Sequence, residues 1–355
     1  MFVSTKNKTG DYMNLAFFDT KSYDKPPFER FSKDKNINIK FFDSKLNYDT
    51  TPLACGFDGI CVFVNDTIDK IVIEKLCEYK VRFIALRCSG YNNVDLKYTK
   101  GKIAVFNVPT YSPYAVAEHA MAMLLTSVRR THKAYLRTKD FNFSLNGLVG
   151  FDLHGKTAGV IGTGKIGRAF IDICKGFSMN VIAYDKYPIK NSDIDYVSLD
   201  ELYEKSDIIS FHCPLTEETY HMLDKNSIEK LKRTAIIINT SRGPLIESKA
   251  LLKAIKERKI GGACLDVYEE ESDIFFEDYS GHIVEDDTLA RLITMPNVLV
   301  TSHQAYLTTE ALNNIAKTTI ENILSFEKTG KCENELHCLK SVSYTHLRAH
   351  ETEAD

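Results

Sequence analysis

Short, almost wholly apolar runs recur along the second half of the chain, at residues 157–161, 180–184, 208–212, 234–239, 262–267 and 297–301. Between several of them the apolar positions fall three and four apart, at residues 166–176, 199–205 and 248–259. The first rhythm predicts strands buried on both faces, and the second predicts amphipathic helices. Strands that alternate with helices in this way build a parallel sheet with crossover connections, here a doubly wound α/β domain of six strands. The helix over 199–205 opens with Ser198-Leu-Asp-Glu201, whose spacing is that of a capping box.

A smaller alternation comes first, with strands predicted at residues 14–18, 37–42, 60–64, 83–87 and 103–107 and a helix over 69–79. Two prolines in Val108-Pro-Thr-Tyr-Ser-Pro113 mark a defined crossing into the second domain. A long apolar helix is expected at 115–129, and another at 309–327 is placed to return to the first domain. No repeat of solenoid length is visible.

Length and composition support this division. The 355 residues are 44% hydrophobic and 26% charged, enough for two buried cores. A formal net charge of −3 gives no electrostatic reason to expect nucleic acid or an anionic membrane as partner. The richest apolar stretch, residues 120–128, is about half of what a bilayer span needs. The first ten residues lack the apolar core of a secretory signal. Nine cysteines, an odd number without any C-x-x-C pair, fit reduced thiols in a cytoplasmic protein. No histidine-paired signature marks any of them as a nucleophile. Residues 1–12 and 337–355 read as disordered or non-native tails, with Met13 a second candidate start. The stretch Ser-Tyr-Thr-His-Leu-Arg-Ala-His-Glu-Thr in the last tail looks like translated cloning or adaptor sequence.

The candidate chemistry begins at Thr157-Ala-Gly-Val-Ile-Gly-Thr-Gly-Lys-Ile-Gly167, a strand followed by G-x-G-x-x-G and a helix. Gly162 permits a tight turn, Gly164 lets a pyrophosphate approach backbone, and Gly167 allows close packing of helix on strand. The next apolar run ends at Asp185, near the separation expected of a carboxylate that receives the adenosine ribose hydroxyls. Such a carboxylate repels a 2′-phosphate and favours NAD over NADP. Two features argue the other way: Asp185 could simply cap the turn Asp185-Lys-Tyr-Pro, and Lys186 beside it is a cation that a phosphate could use.

Three further strand ends carry groups suited to acid–base and anion chemistry. The run through residue 239 leads to Arg242, whose planar fork can grip a carboxylate. The run through residue 267 leads to the carboxylates Glu269, Glu270 and Glu271. The last run leads to His303, whose ordinary pKa lies nearest neutrality. Taken singly, each has a plain alternative: a surface arginine, a solvated acidic loop, a structural histidine. His119 and His212 are rivals for the acid–base role. Their joint placement at the ends of one sheet, downstream of one phosphate loop, points to a reaction at a carboxylate-bearing substrate.

With these residues in hand, the chain resembles the D-isomer-specific 2-hydroxyacid dehydrogenases, from about Met13 to Leu336. The resemblance rests on Leu86-Arg-Cys-Ser-Gly-Tyr-Asn-Asn-Val-Asp95, Val108-Pro-Thr-Tyr-Ser-Pro113, the glycine loop, Ser206-Asp-Ile-Ile-Ser-Phe-His-Cys-Pro214, Asn239-Thr-Ser-Arg-Gly243, Asp266-Val-Tyr-Glu269 and Ser302-His-Gln-Ala305. It implies two Rossmann-like, doubly wound parallel-sheet domains with the active-site cleft between them. Residues 13–112 plus 307–336 would bind substrate and 113–306 would bind NAD(H).

By the same resemblance Arg242 clamps a 2-keto acid, His303 is the general acid/base, and Glu271 pairs with His303. Glu271 is selected because the family glutamate falls five positions after the strand aspartate. Ser89, Gly90, Tyr111 and Tyr306 would contact substrate. Lys165, Ile166, Cys213, Pro214, Thr240, Ser241 and Asp266 would join Gly162, Gly164, Gly167 and Asp185 around the cofactor.

The loop Ile274-Phe-Phe-Glu-Asp-Tyr-Ser280 looks like the D-lactate branch of the family, which implies reduction of pyruvate, and the family's habit implies a homodimer or homotetramer. Tyr306 stands where many relatives have Phe. Two other readings share these motifs: a sister enzyme for a bulkier 2-keto acid or phosphoglycerate, and a non-enzymatic, NAD-sensing module like the corepressors of this fold.

Overall fold

The computed structural model describes residues 12–270 and 274–337. The chain divides into two units, one running to Tyr111 and resuming at Leu312, the other spanning Ser112–Ala311.

The smaller unit holds, among the described residues, five parallel strands, Met13–Phe17 (β1), Ile37–Phe41 (β2), Gly59–Val62 (β3), Phe83–Leu86 (β4) and Ala104–Phe106 (β5), in the order β2-β1-β3-β4-β5. The inner strands β3 and β4 are buried at every position, which is why their text is continuously apolar. The helix expected over 69–79 forms at Lys70–Glu78, with the Asp69 carboxylate accepting from the Val72 N–H. The long helix Thr309–Thr329 returns to this sheet: Phe326 sets its ring 5.5 Å from that of Phe83, itself stacked on Phe106.

The larger unit holds, among the described residues, seven parallel strands: Thr157–Ile161 (β6), Asn180–Tyr184 (β7), Asp195–Tyr196 (β8), Ile208–Phe211 (β9), Ile236–Asn239 (β10), Gly262–Leu265 (β11) and Val298–Val300 (β12). Their order is β12-β11-β10-β9-β6-β7-β8, so the direction of winding reverses between β6 and β9. One more strand is present than the six expected. The extra one, β8, is a two-residue edge whose Asp-Tyr text carries no apolar run. One face is covered by Ala117, Ala120, Met121 and Leu124 of the helix Pro113–Arg129, together with Phe170 and Ile171. The other is covered by Leu202, Tyr203, Leu251 and Ile255. Ser198 caps its helix by accepting from the Glu201 N–H at 3.2 Å, while the Glu201 carboxylate turns to Lys205 instead of closing the box.

Among the described residues no helix is long and apolar enough to cross a membrane. The eight described cysteines are all free, five of them buried.

The carboxyl edge of the five-stranded sheet buries a cluster of charge. Arg87, 2% exposed, lies between the rings of Phe17 and Phe63, at 4.4 and 4.8 Å. It donates to the Asp19 carbonyl at 2.6 Å and stands 3.7 Å from the Asp24 carboxylate. Asp66 accepts from the N–H groups of Leu46 and Phe63, both at 2.5 Å. Burial nevertheless pushes its pKa up to about 6, against the pull of Arg87. A carboxyl that holds its proton more tightly when folded stabilises the fold at low pH, and that contribution is lost as pH rises through about 6. Relative to Asp66→Asn, the wild-type chain should therefore lose about 2–3 kcal/mol of unfolding free energy between pH 4 and 7, at about 1.4 kcal/mol per tenfold change in proton affinity. Urea unfolding of both proteins across that range checks this, and a constant difference would refute it.

Candidate active site

The loop after β6 shows why three glycines are needed. Gly162 has φ +95°, and a side chain there would lie 2.7 Å from the backbone of His212 and Cys213. A Cβ on Gly167 would lie 1.9 Å from the Gly162 carbonyl oxygen, whereas one on Gly164 would project into open space. That open space faces the start of the twelve-residue helix Lys165–Gly176, whose first N–H groups have no partner within the helix. The residues present thus fit a dinucleotide pyrophosphate, seated at the point where the strand order reverses. Lys165 and Ile166 open that helix, and Cys213 and Pro214 follow β9 on the opposite side of the reversal.

Asp185 follows β7, caps the turn as one of its two expected readings has it, and is also tied to the glycine loop. One oxygen accepts from the N–H and hydroxyl of Thr163, at 2.7 and 3.0 Å, which ties it to the glycine loop. The other accepts from the Tyr187 N–H at 2.8 Å and so caps the turn. A carboxylate has lone pairs to spare beyond these three bonds. Lys186 is paired with Glu218, on the loop after β9.

Three adjacent strands, β10, β11 and β12, bring Arg242, Asp266 and His303 to the same edge of the sheet. Arg242 is half-buried in extended backbone at the end of a turn that its neighbours fix. The Asn239 amide donates to the Arg242 carbonyl and accepts from the Ser241 N–H, at 2.9 and 3.0 Å, and the Ser241 hydroxyl donates to the Phe211 carbonyl at 2.8 Å. One guanidinium N–H is spent on the Ser241 carbonyl, its one bond among the described residues, and the rest of the fork can serve a ligand. Thr240 is buried, and its hydroxyl has no protein partner among the described residues.

Asp266 is completely buried. One oxygen accepts from the Thr301 hydroxyl at 2.6 Å and the Gln304 N–H at 2.9 Å, with His119 Nε2 at 3.3 Å. The other accepts from the Ala305 N–H at 2.9 Å. Burial alone would raise its pKa, but these bonds outweigh it and hold the carboxyl below its ordinary range. Its carbonyl receives the His303 N–H at 2.7 Å. The whole turn that carries His303 is therefore wrapped around Asp266, which explains how His303 is held at φ +53°, in the left-handed region. The His303 ring lies 5.7 Å from that of Phe276, from the loop that resembles the D-lactate branch. Tyr306 is buried just beyond the turn.

The rival histidines have other employment. His119 braces Asp266, and burial pushes the pKa of His212 down to about 3, which keeps it neutral. Glu271 lies outside the described residues. The carboxylate the sequence offered two positions earlier, Glu269, is bonded to His221, a pairing that sequence reasoning did not find. In the smaller unit the turn after β4 places Ser89 and Gly90 half-exposed, with the Asn107 amide donating to the Ser89 carbonyl at 2.7 Å. Tyr111 lends its carbonyl to Asn314 at 2.7 Å.

Comparison with known proteins agrees with this geometry. Residues 121–305 match the family described as D-isomer specific 2-hydroxyacid dehydrogenase, NAD binding domain. The chain is 48% identical to the D-lactate dehydrogenase of Escherichia coli over 328 residues, covering 91% of this chain and all of that one. It is similar in structure to the apo form of D-lactate dehydrogenase from Escherichia coli, with a TM-score of 0.84 at 46% identity, and to Salmonella D-lactate dehydrogenase, with 0.81 at 48%. Each comparison covers 91% of this chain and 100% of the other. With its glycine loop, its Arg242 turn and its Asp266-bound histidine, the chain belongs to the D-isomer-specific 2-hydroxyacid dehydrogenases, enzymes that use NAD(H).

Proposed function

We propose that this enzyme reduces pyruvate to D-lactate. The observation that carries the reading is the delivery of Arg242 and His303, at the ends of β10 and β12, to the same sheet edge as the dinucleotide loop. The nicotinamide, when bound, supplies the hydride. Arg242 holds the carboxylate of the keto acid with its fork and stabilises negative charge that develops on the ketone oxygen. His303, as imidazolium, gives that oxygen its proton, with Glu271 as the carboxylate that favours the charged ring. Ser89, Gly90, Tyr111 and Tyr306 take the remaining substrate contacts in this reading, with Thr240 and Ser241 beside the cofactor. Residues 13–112 plus 307–336 then form the substrate domain and 113–306 the NAD domain. The free thiols agree with a cytoplasmic enzyme.

The segment from the helix Thr131–Lys139 to residue 151 bears on assembly. That helix buries none of its residues, and Tyr135, Leu136, Phe141, Phe143, Leu145 and Val149 are 59–85% exposed. So much apolar surface in one stretch is rare on a monomer. We infer that a second copy covers it, giving a homodimer or a tetramer built from such dimers. Sedimentation at micromolar concentration should show the oligomer, and Phe143→Asp with Leu145→Asp should shift it toward monomer; a wild-type monomer would refute the inference.

Purified protein with NADH and pyruvate should yield D-lactate on chiral analysis. Formation of L-lactate, or kcat/KM higher for phenylpyruvate or 3-phosphohydroxypyruvate than for pyruvate, would overturn the substrate assignment. His303→Gln should lower kcat by about 10²–10⁴ while NADH still binds. Near-normal turnover in that variant would remove His303 from the acid–base role.

A further inference from the structure

The pair His221–Glu269 has no part in the chemistry above, yet it is built more carefully than a surface ion pair. Nε2 of His221 and Oε1 of Glu269 are 2.5 Å apart, and both side chains are about three-quarters buried. A carboxylate only accepts, so the imidazole N–H is the donor. The second Glu269 oxygen accepts from the Ser248 N–H at 3.0 Å, and the ring of Tyr220 stacks on His221 at 3.9 Å.

The backbone on either side of this bond encloses the turn that carries Arg242. The His221 N–H donates to the Pro244 carbonyl at 2.8 Å, and the Leu223 N–H donates to the Leu245 carbonyl at 3.0 Å. On the opposite side, Gly243 lies so close to the next strand end that a Cβ on it would sit 1.8 Å from the Tyr268 carbonyl oxygen. The segment after β9, the turn after β10 and the residues after β11 are thus stacked, and the imidazole–carboxylate bond joins the first to the third across the second. We propose that His221 and Glu269 are positioning residues that clasp the Arg242 turn and fix where its guanidinium meets the substrate carboxylate. This rests on Arg242 being the carboxylate clamp.

The test measures pyruvate KM, kcat and NADH Kd for His221→Ala, Glu269→Ala, the double variant, Glu269→Gln and, in parallel, Arg242→Ala. The clasp requires each single alanine variant to raise KM by about tenfold, with kcat within about threefold and NADH Kd within about twofold of wild type. The double variant should be no worse than either single, because both remove one shared interaction. Glu269→Gln retains one acceptor oxygen and should recover most of the KM.

Unchanged KM in alanine variants that still bind NADH would overturn the proposal, as would KM, kcat and NADH Kd all worsening together, the mark of a merely structural pair. If the alanine variants do not fold, the decision passes to Glu269→Gln and Tyr220→Ala, which must raise KM by about two- to fourfold with NADH Kd constant; no rise refutes the clasp. Arg242→Ala separates the two claims. A large KM increase there with none in the clasp variants sinks the clasp alone, whereas an unchanged KM sinks the Arg242 reading and the clasp with it.

Discussion

A single buried carboxylate organises the reactive end of the larger sheet. Removing an ionised group from water is costly unless hydrogen bonds replace the lost hydration. Asp266 meets that condition with the Thr301 hydroxyl, two backbone N–H groups and His119. Each of those donors is thereby fixed as well. The turn after β12 cannot relax to a more ordinary backbone without stripping the carboxylate of its Gln304 and Ala305 bonds. The unfavourable φ of His303 is thus held by a stronger demand beneath it. His119 extends the same constraint to the helix Pro113–Arg129, which covers one face of the sheet.

Parallel strands deliver all their carboxyl ends to one edge, but delivery alone leaves each loop free to wander. Here the ends are bonded neighbour to neighbour. Ser241 after β10 reaches back to Phe211 of β9, Gly243 lies against Tyr268 beyond β11, and His303 after β12 donates to Asp266 after β11. Each of these two hydrogen bonds and the close approach between them is short-range in space and long-range in sequence. Together they turn four loops into a continuous rim, the condition for holding a guanidinium and an imidazole in fixed relation.

That distinction also explains what could be read from the sequence. Residues 157–161 and 180–184 form strands over the positions their apolar text predicts, whereas the runs at 234–239 and 262–267 extend past their ladders. Apolar text marks burial, and burial continues into the turns: Ala235, Asp266 and Val267 are buried outside any strand. The helix Thr131–Lys139 went unread because it buries nothing, so its sequence has no apolar face to show. At the site, the glycine loop, Asp185, Arg242 and His303 were legible because each ends a recognisable strand. The pairing of His221 with Glu269 was not, since 48 residues separate them and no periodic pattern relates them. That Thr301, Gln304, Ala305 and His119 all converge on Asp266 was hidden as well, because they lie far from it in sequence.

The turn after β7, which we propose as the adenosine end of the cofactor site, shows how a contact found only in three dimensions changes a charge argument. In the sequence Lys186 next to Asp185 offers a cation for a 2′-phosphate and weakens the preference for NAD. In the fold its ammonium is taken by Glu218, from the loop after the neighbouring strand β9. The local sum is then two carboxylates against one cation, and the cation is the group already paired. A 2′-phosphate entering there would meet Asp185 directly and would have to displace Glu218 to reach Lys186. An exposed pair contributes little to stability. Its consequence would lie in selectivity, because carboxylates held close disfavour a phosphorylated dinucleotide over one that lacks the phosphate. If Asp185 receives the adenosine ribose, the preference it gives for NAD would act together with Glu218, and Lys186 would not offset it.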